Sequence, residues 1–322
     1  MRSFACRLCQ SPLFFENSVC VSCGTALGFS RAERDIVPVD DAGQYVDEAG
    51  LVWHVCRNLN LSGCTWLAPL EGGQCEACDL TRTRPSEDDL EGIAQFPEAE
   101  AAKRHLVVEL DTLGFDISGL VFDMLSSSEV AGEDVVIGHD NGVITIDLAE
   151  TDDARRERIR QQLDEPYRTL LGHLRHEVGH YIESQLVTTD ERLARCRELF
   201  GDDDADYQAA IERHYAQGPP QGWEDSYITT YATMHPFEDF AETFAHYLHI
   251  SDTCETAAAY DLWLEAAGFA SFGELVRTVW IPLSVALNQI NRSMGKDDVY
   301  PFVIPAPVLE KLDFVAGLAG SR

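Results

Sequence analysis

The pattern of hydrophobic and polar positions divides this chain into a loop-rich first part and a largely helical remainder. From residue 97 to 113, apolar positions recur among charges at the spacing of an amphipathic helix. Residues 135–148 read VVIGHDNGVITIDL, in which two β-branched runs flank an Asp-Asn-Gly turn. This pattern predicts a β-hairpin. Thr151, which acidic and then basic residues follow, predicts the N-cap of a further helix.

Two later helices carry the most notable polar residues. Asp164 and Pro166 predict the start of one helix, which continues to about Leu186. Pro236 predicts the start of another, with the sequence PFEDFAETFAHYLHI. Further helical patterns cover residues 257–267, residues 272–293 and the stretch after Pro307.

A polar, proline-bearing segment, TRTRPSEDDLE at 81–91, predicts a boundary between two domains. We place one region over residues 1–85 and a second domain over residues 86–322. A chain of 322 residues is long enough for about two domains of ordinary size.

The first region contains a group of four cysteines at regular spacing: Cys6, Cys9, Cys20 and Cys23. They form two C-x2-C pairs, and each pair suits a tight turn that directs two thiolates at one ion. The N-terminus lacks the apolar core of a secretory signal, so metal binding is favoured over disulfides. We predict a structural zinc site.

A second group of four cysteines follows: Cys56, Cys64, Cys75 and Cys78. Only its last pair has C-x2-C spacing, yet four thiolates again predict a structural zinc. His54 is an alternative ligand in place of Cys56 or Cys64. Because so short a region buries little apolar core, metal is expected to supply much of its folding energy.

The chain is strongly acidic, with a formal net charge of -31, and most of the excess acid follows residue 85. Such a field repels nucleic-acid phosphates and anionic membranes. No apolar run approaches the roughly 20 residues that a membrane span needs. We therefore expect a cytoplasmic protein that binds neither nucleic acid nor membrane.

The candidate chemistry lies in RHEVGHYIE at 175–183. His176 and His180 share one helix face and can bind one ion through their imidazoles. Glu177 then lies beside the metal, where it can accept a proton from a water molecule as a general base. Glu183 and His173 lie near the same face and are weaker candidates for supporting roles.

A catalytic zinc needs a third protein ligand and one open position. Metzincins would have Gly and His where this chain has Glu183 and Leu186, so that class is excluded. Glu238 and Glu242 share a face of the Pro236 helix. We assign Glu238 to the metal and Glu242 to a hydrogen bond with a ligand histidine, with the reverse order open.

Several other residues remain candidates from the sequence alone. Tyr231, seven residues before Glu238, is placed to donate to a developing oxyanion, or is an ordinary packed tyrosine. Glu198 is an alternative third ligand. Three histidines are alternative ligands or structural residues: His235, His246 and His249. Two isolated cysteines are predicted in the core: Cys196 and Cys254.

The strand at 143–148 is a candidate for binding an extended peptide, since an exposed edge strand can pair with a peptide main chain. An ordinary hairpin is the alternative.

Long segments of the chain resemble a family of bacterial zinc-binding metallopeptidases that carry an N-terminal zinc-ribbon region. The resemblance extends over residues 4–260. Besides the first cysteine group, it rests on FFEN at 14–17, GCTWL at 63–67, GHDNGVITIDLAE at 138–150, EPYRTLLGHLRHEVGHYIE at 165–183 and HPFEDFAETFAHYLHI at 235–250. It implies a hydrolase that cuts peptide bonds.

The catalytic segments are also similar to the anthrax lethal factor type of gluzincin. In that type a HExxH helix is joined by an E-F-F-A-E helix, whose first glutamate binds zinc, and by a tyrosine seven residues upstream. The matching residues here are Glu238 and Tyr231, with Asp239 replacing the first phenylalanine. This likeness favours Glu238 over Glu242 as the third ligand.

Together these observations predict an α+β protein: a small zinc-ribbon region, then a mostly helical zincin-like domain with a short β-hairpin. We expect one catalytic and two structural zinc ions, a peptide or protein substrate, and a structural or partner-recruiting role for the ribbon region. The rival hypothesis is a zinc-binding scaffold that keeps the metal site without turnover.

Overall fold

The structure is a computed structural model that describes residues 2–127, 135, 137–152, 169–263 and 268–320. The chain forms two compact units. The first comprises residues 1–112 and 116–153, and the second comprises residues 113–115 and 154–322. The predicted domain boundary after residue 85 stays a prediction.

The first unit contains short strands and two short helices around the cysteines. Its elements up to residue 83 are β1 (Phe4–Ala5), β2 (Pro12–Leu13), β3 (Leu27–Ser30), β4 (Asp35–Pro38), β5 (Gln44–Val46), β6 (Val52–Val55), α1 (Leu59–Ser62), β7 (Leu67–Ala68), α2 (Glu76–Asp79) and β8 (Thr81–Thr83). Strands β1 and β2 pair, β3 pairs with β4, and β5, β6 and β7 form a three-stranded sheet.

An aromatic cluster forms the core between these small sheets. The ring centroid of Phe29 lies 4.9 Å from that of Phe15 and 4.9 Å from that of Trp66. Phe4 stacks on Phe15. The region therefore has a packed aromatic core in addition to its cysteine groups.

The remaining part of the first unit consists of a long helix and the rest of a four-stranded sheet. The elements are α3 (Leu90–Leu113), β9 (Val121–Leu125), β10 (Gly138–Asp140), β11 (Val143–Asp147) and a 3-10 turn (Leu148–Thr151). Asn141 and Gly142 both have positive φ, as the two-residue hairpin turn between β10 and β11 requires. The predicted hairpin is confirmed.

The sheet order β10-β11-β9-β8 overturns two expectations from the sequence. Strand β11 pairs antiparallel with β10 and parallel with β9, so it is an interior strand without a free edge. The prediction that 143–148 binds a peptide by edge pairing is therefore wrong. Part of the predicted linker is also a strand, because β8 pairs with β9.

The second unit is helical in its described residues. Its helices are α4 (Leu170–Leu186), α5 (Asp190–Phe200), α6 (Tyr207–Gln217), α7 (Pro236–Ala259), α8 (Phe272–Leu275), α9 (Ile281–Ser293) and α10 (Ala306–Ala316). Short 3-10 turns cover Trp223–Asp225 and Tyr231–Thr233, and a π-helical turn, Val276–Trp280, joins α8 to α9. The predicted N-cap at Asp164 lies outside the described residues, as does the helix predicted after Thr151. Helix α4 begins at Leu170, later than predicted, because Thr169 is extended and its side chain caps the N–H of Gly172. The predicted α+β class is confirmed.

Helices α4 and α7 pack closely because a glycine lies at their contact. A Cβ atom on Gly179 would lie 2.9 Å from the Cα atom of Ala241, which is backbone and cannot move aside. Gly179 lies within the HExxH sequence itself. The absence of a side chain at Gly179 therefore lets the face of α7 that carries Glu238 and Glu242 approach the two histidines of α4.

The start of α7 is fixed by polar contacts. His235 is its N-cap, and its Nδ1 atom accepts a hydrogen bond from the backbone N–H of Phe237 at 3.1 Å. Pro236 occupies the first turn, where its missing N–H costs nothing. In the same turn, Asp239 forms a buried ion pair with Lys311 of α10 at 2.6 Å.

Candidate metal centre

The two groups of cysteines in the first unit each bring four sulfur atoms together. In the first group Cys6 lies 3.7 Å from Cys23 and Cys9 lies 3.6 Å from Cys20, measured between Sγ atoms. All four sulfur atoms lie within 4.8 Å of one another. Such a set suits a closed tetrahedral zinc site.

The second cysteine group is more deeply buried than the first. Cys56 lies 3.7 Å from Cys78, and Cys64 lies 3.5 Å from Cys75, again between Sγ atoms. These four sulfur atoms also lie within 4.8 Å of one another. His54 belongs to β6 and is not part of this set, so four cysteines suffice for the second structural site.

In the second unit, three donor atoms converge between α4 and α7. The Oε2 atom of Glu238 lies 3.0 Å from Nε2 of His176 and 3.5 Å from Nε2 of His180. The ring of His180 stacks on that of Phe237, with 3.9 Å between the ring centroids. All three donor residues are buried. Sequence reasoning had selected these three as ligands, and the structure brings them to one point.

Glu242 interacts with the opposite side of the His176 ring. Its Oε1 atom accepts a hydrogen bond from Nδ1 of His176 at 2.7 Å, and its Oε2 atom accepts one from the Thr229 hydroxyl at 2.7 Å. Where Nδ1 carries the proton, Nε2 of His176 presents its lone pair to the Glu238 carboxylate 3.0 Å away, and either a second proton or a metal ion between the two atoms satisfies both.

Glu177 lies beside this cluster, and its two carboxylate oxygens differ in their hydrogen bonding. Its Oε1 atom accepts a hydrogen bond from His173 at 3.1 Å, whereas its buried Oε2 atom has no hydrogen-bond partner among the described residues. Burial raises the pKa of Glu177, but His173 and the two neighbouring histidines together lower it to about 2. The carboxylate is therefore ionised at neutral pH.

Two tyrosines contact the cluster. The Tyr231 ring centroid lies 5.9 Å from that of His176, and burial raises the pKa of its hydroxyl, which stays protonated and able to donate. The Tyr207 hydroxyl donates to Oε1 of Glu238 at 2.7 Å. Sequence analysis missed Tyr207, which lies in a polar segment without periodic pattern, and also missed Thr229.

The other candidates from the sequence lie elsewhere or serve other contacts. Glu198 is exposed and pairs with Arg195 at 2.6 Å. Nε2 of His235 lies 3.0 Å from the Ala205 carbonyl oxygen, and Nδ1 of His246 lies 2.8 Å from the Tyr300 hydroxyl. Neither histidine belongs to the donor cluster.

His249, Glu183 and the two isolated cysteines complete the set of sequence candidates. His249 stacks on Tyr300, with Nδ1 3.3 Å from Arg175. Burial raises the pKa of Glu183 to about 8, and this residue lies next to the buried Cys196. Cys254 is only half-buried.

The two four-cysteine sets are those of a zinc-binding protein, and the cluster of His176, His180 and Glu238 is a third group of side chains that could hold a metal ion. Residues 92–318 match the family described as "Putative zinc-binding metallo-peptidase", and residues 3–89 match a zinc-ribbon domain. The chain belongs to this metallopeptidase family.

Curated relatives are similar over nearly the whole length. "Uncharacterized protein Rv2568c" of Mycobacterium tuberculosis (strain ATCC 25618 / H37Rv) is 49% identical over 333 residues, covering 98% of this chain and 94% of the relative. "Uncharacterized protein Mb2598c" of Mycobacterium bovis (strain ATCC BAA-935 / AF2122/97) has the same identity and coverage. No solved structure matches. None of the helices in the described part of the chain has the length and apolar character that crossing a membrane requires.

Proposed function

We propose that the second unit is a zinc-dependent peptidase of the HExxH gluzincin type. The ligands are His176, His180 and Glu238, and Glu177 is the general base. The observation that carries the proposal is the convergence of these three buried donor atoms beside the free oxygen of Glu177. A zinc ion bound to them would activate a water molecule and polarise a substrate carbonyl.

The residues of the chain then perform the proton transfers. Oε2 of Glu177 accepts a proton from the attacking water and delivers it to the leaving amine. His173 holds Oε1 of the same carboxylate, so the free oxygen has a fixed orientation. The Tyr231 hydroxyl, kept protonated by burial, donates to the oxyanion that develops on the substrate carbonyl.

Glu242 and Thr229 orient the first ligand. The carboxylate of Glu242 fixes the Nδ1–H tautomer of His176, which leaves Nε2 as the donor to a metal. Cysteine ligands at the other two centres leave no open position, so those sites are structural. The ribbon region then stabilises the first unit or binds a protein partner, and peptides or proteins are the substrates.

Metal analysis tests whether the cluster of His176, His180 and Glu238 binds zinc, as the proposal requires. The purified chain is expected to contain three zinc ions, and His176→Ala is expected to contain two. The matched control is His214→Ala, which removes a histidine of α6 that is not among the three ligands. Two zinc ions in the wild type, with no change in His176→Ala, would contradict the proposal.

A further inference from the structure

The two carboxylate oxygens of Glu238 have different partners. Oε2 faces the Nε2 atoms of His176 and His180, at 3.0 and 3.5 Å. Oε1 accepts a hydrogen bond from the Tyr207 hydroxyl at 2.7 Å. Tyr207 belongs to α6, whereas the three proposed ligands belong to α4 and α7.

Tyr207 is held in place by a second set of contacts at the start of α7. Its ring packs edge-on against His235, with 5.2 Å between ring centroids. His235 in turn contacts the Ala205 carbonyl oxygen and caps the N–H of Phe237. The Tyr207 hydroxyl is the donor in its contact with Glu238, because an ionised carboxylate oxygen can only accept a hydrogen bond.

A glutamate can bind a metal through one oxygen or through both. When both oxygens bind, the second one takes a coordination position that a catalytic zinc keeps for water or substrate. A hydrogen bond to the second oxygen opposes this change, because that oxygen must lose its donor before it can turn to the metal.

We propose that Tyr207 is a positioning residue that keeps Glu238 a one-oxygen ligand and so preserves the open coordination position. The inference rests on the proposed function, because it takes the three-residue cluster as a metal site. Tyr207 belongs to α6 and lies outside both the HExxH sequence of α4 and the helix α7 that carries Glu238.

Cobalt substitution in Tyr207→Phe tests the inference independently of catalysis. The catalytic site is emptied with a mild chelator while the cysteine sites keep their zinc, and Co²⁺ is then added. The His176→Ala spectrum serves as the baseline. We expect weaker visible absorption from Tyr207→Phe, as a higher coordination number produces. We also expect zinc affinity to fall about 10- to 100-fold in a chelator competition.

Tyr260→Phe is the matched control, since Tyr260 is a half-exposed tyrosine at the far end of α7. It should keep the spectrum and the affinity of the wild type. The same spectrum and affinity in Tyr207→Phe would overturn the inference, and the peptidase proposal would stand if the wild type cleaves peptides. If the wild type binds no cobalt outside the cysteine sites, both proposals fail together.

Discussion

Nδ1 of His176 lies 2.7 Å from Oε1 of Glu242, while Nε2 of the same ring faces Glu238 at 3.0 Å. The two nitrogen atoms of the His176 ring thus contact the two glutamates of α7, one each. In the proposed site, Glu242 fixes the tautomer of the His176 ring, and Glu238 and His176 bind the metal together. This geometry favours Glu238 as the third metal ligand and Glu242 as the hydrogen-bond acceptor, which is the assignment made from the sequence.

Glu242→Gln should weaken metal binding without abolishing it. The amide can turn its oxygen to Nδ1–H of His176, but the charge that strengthens this hydrogen bond is lost. We expect zinc affinity at this site to fall about 10- to 100-fold, measured by chelator competition. Glu238→Gln should lose the site altogether. If Glu242→Gln loses the site and Glu238→Gln keeps it, the two roles are reversed.

Gly179→Ala should push α4 and α7 apart. The new methyl group would meet backbone at 2.9 Å, so one helix must shift. We expect a loss of about 1–3 kcal/mol in the free energy of unfolding, and weaker zinc binding at the site between these helices. Denaturant unfolding and chelator competition measure the two effects. The control is Gly295→Ala, where no neighbouring atom of the described residues lies within 4 Å of the added carbon, although its positive φ carries a backbone cost of its own.

Acid should destabilise the second unit partly through His246. Burial lowers the pKa of His246 to about 4, against 6.5 for an ordinary histidine. Between pH 6.5 and 4, His246 therefore binds a proton in the unfolded chain but not in the folded chain. The free energy of unfolding decreases as the pH falls through this range. The full effect is about 3 kcal/mol.

His246→Gln removes this titrating group, and its amide can still bond to the Tyr300 hydroxyl. Its unfolding free energy should fall less steeply than that of the wild type between pH 6.5 and 4. Near pH 8 the free energy of unfolding should change with pH equally in the wild type and in His246→Gln. Equal slopes over the acid range would show that His246 titrates normally in the folded protein.

Cys64→Ser should remove one zinc ion and unfold part of the first unit. Cys64 is fully buried, and a structural site with three thiolates loses most of its binding energy, which is also folding energy. Metal analysis should give one zinc ion fewer, and the melting temperature should fall. Cys196→Ser changes a buried cysteine outside both groups and should keep the wild-type zinc content.

Local patterns predicted the hairpin and the helices that carry the metal-binding candidates, because these elements depend on near neighbours in the chain; the short strands of residues 1–83 were not predicted. The Asp-Asn-Gly turn specified the hairpin, and Pro236 marked the start of α7. Helical spacing placed His176 and His180 on one face of α4. Strand β9 was not predicted, although Ser118 and Gly119 precede it and a run of serines follows it, and β11 was therefore placed wrongly at an edge.

Contacts between distant segments were beyond the sequence. Nothing in the polar stretch before α6 indicates that Tyr207 reaches Glu238, thirty-one residues later. Thr229 and Lys311 likewise gain their roles only when helices pack. These residues contact the glutamates and the aspartate of α7 from distant parts of the chain. Their spacing along the sequence therefore forms no recognisable motif.

The most direct test compares peptide cleavage by the wild type and Glu177→Gln, using a peptide library and zinc-loaded protein. The substitution removes the carboxylate that accepts the proton but leaves the three proposed ligands. We predict cleavage by the wild type and a loss of at least about 100-fold in Glu177→Gln, with unchanged zinc content. Equal cleavage by the two proteins, or none by the wild type, would contradict the peptidase proposal.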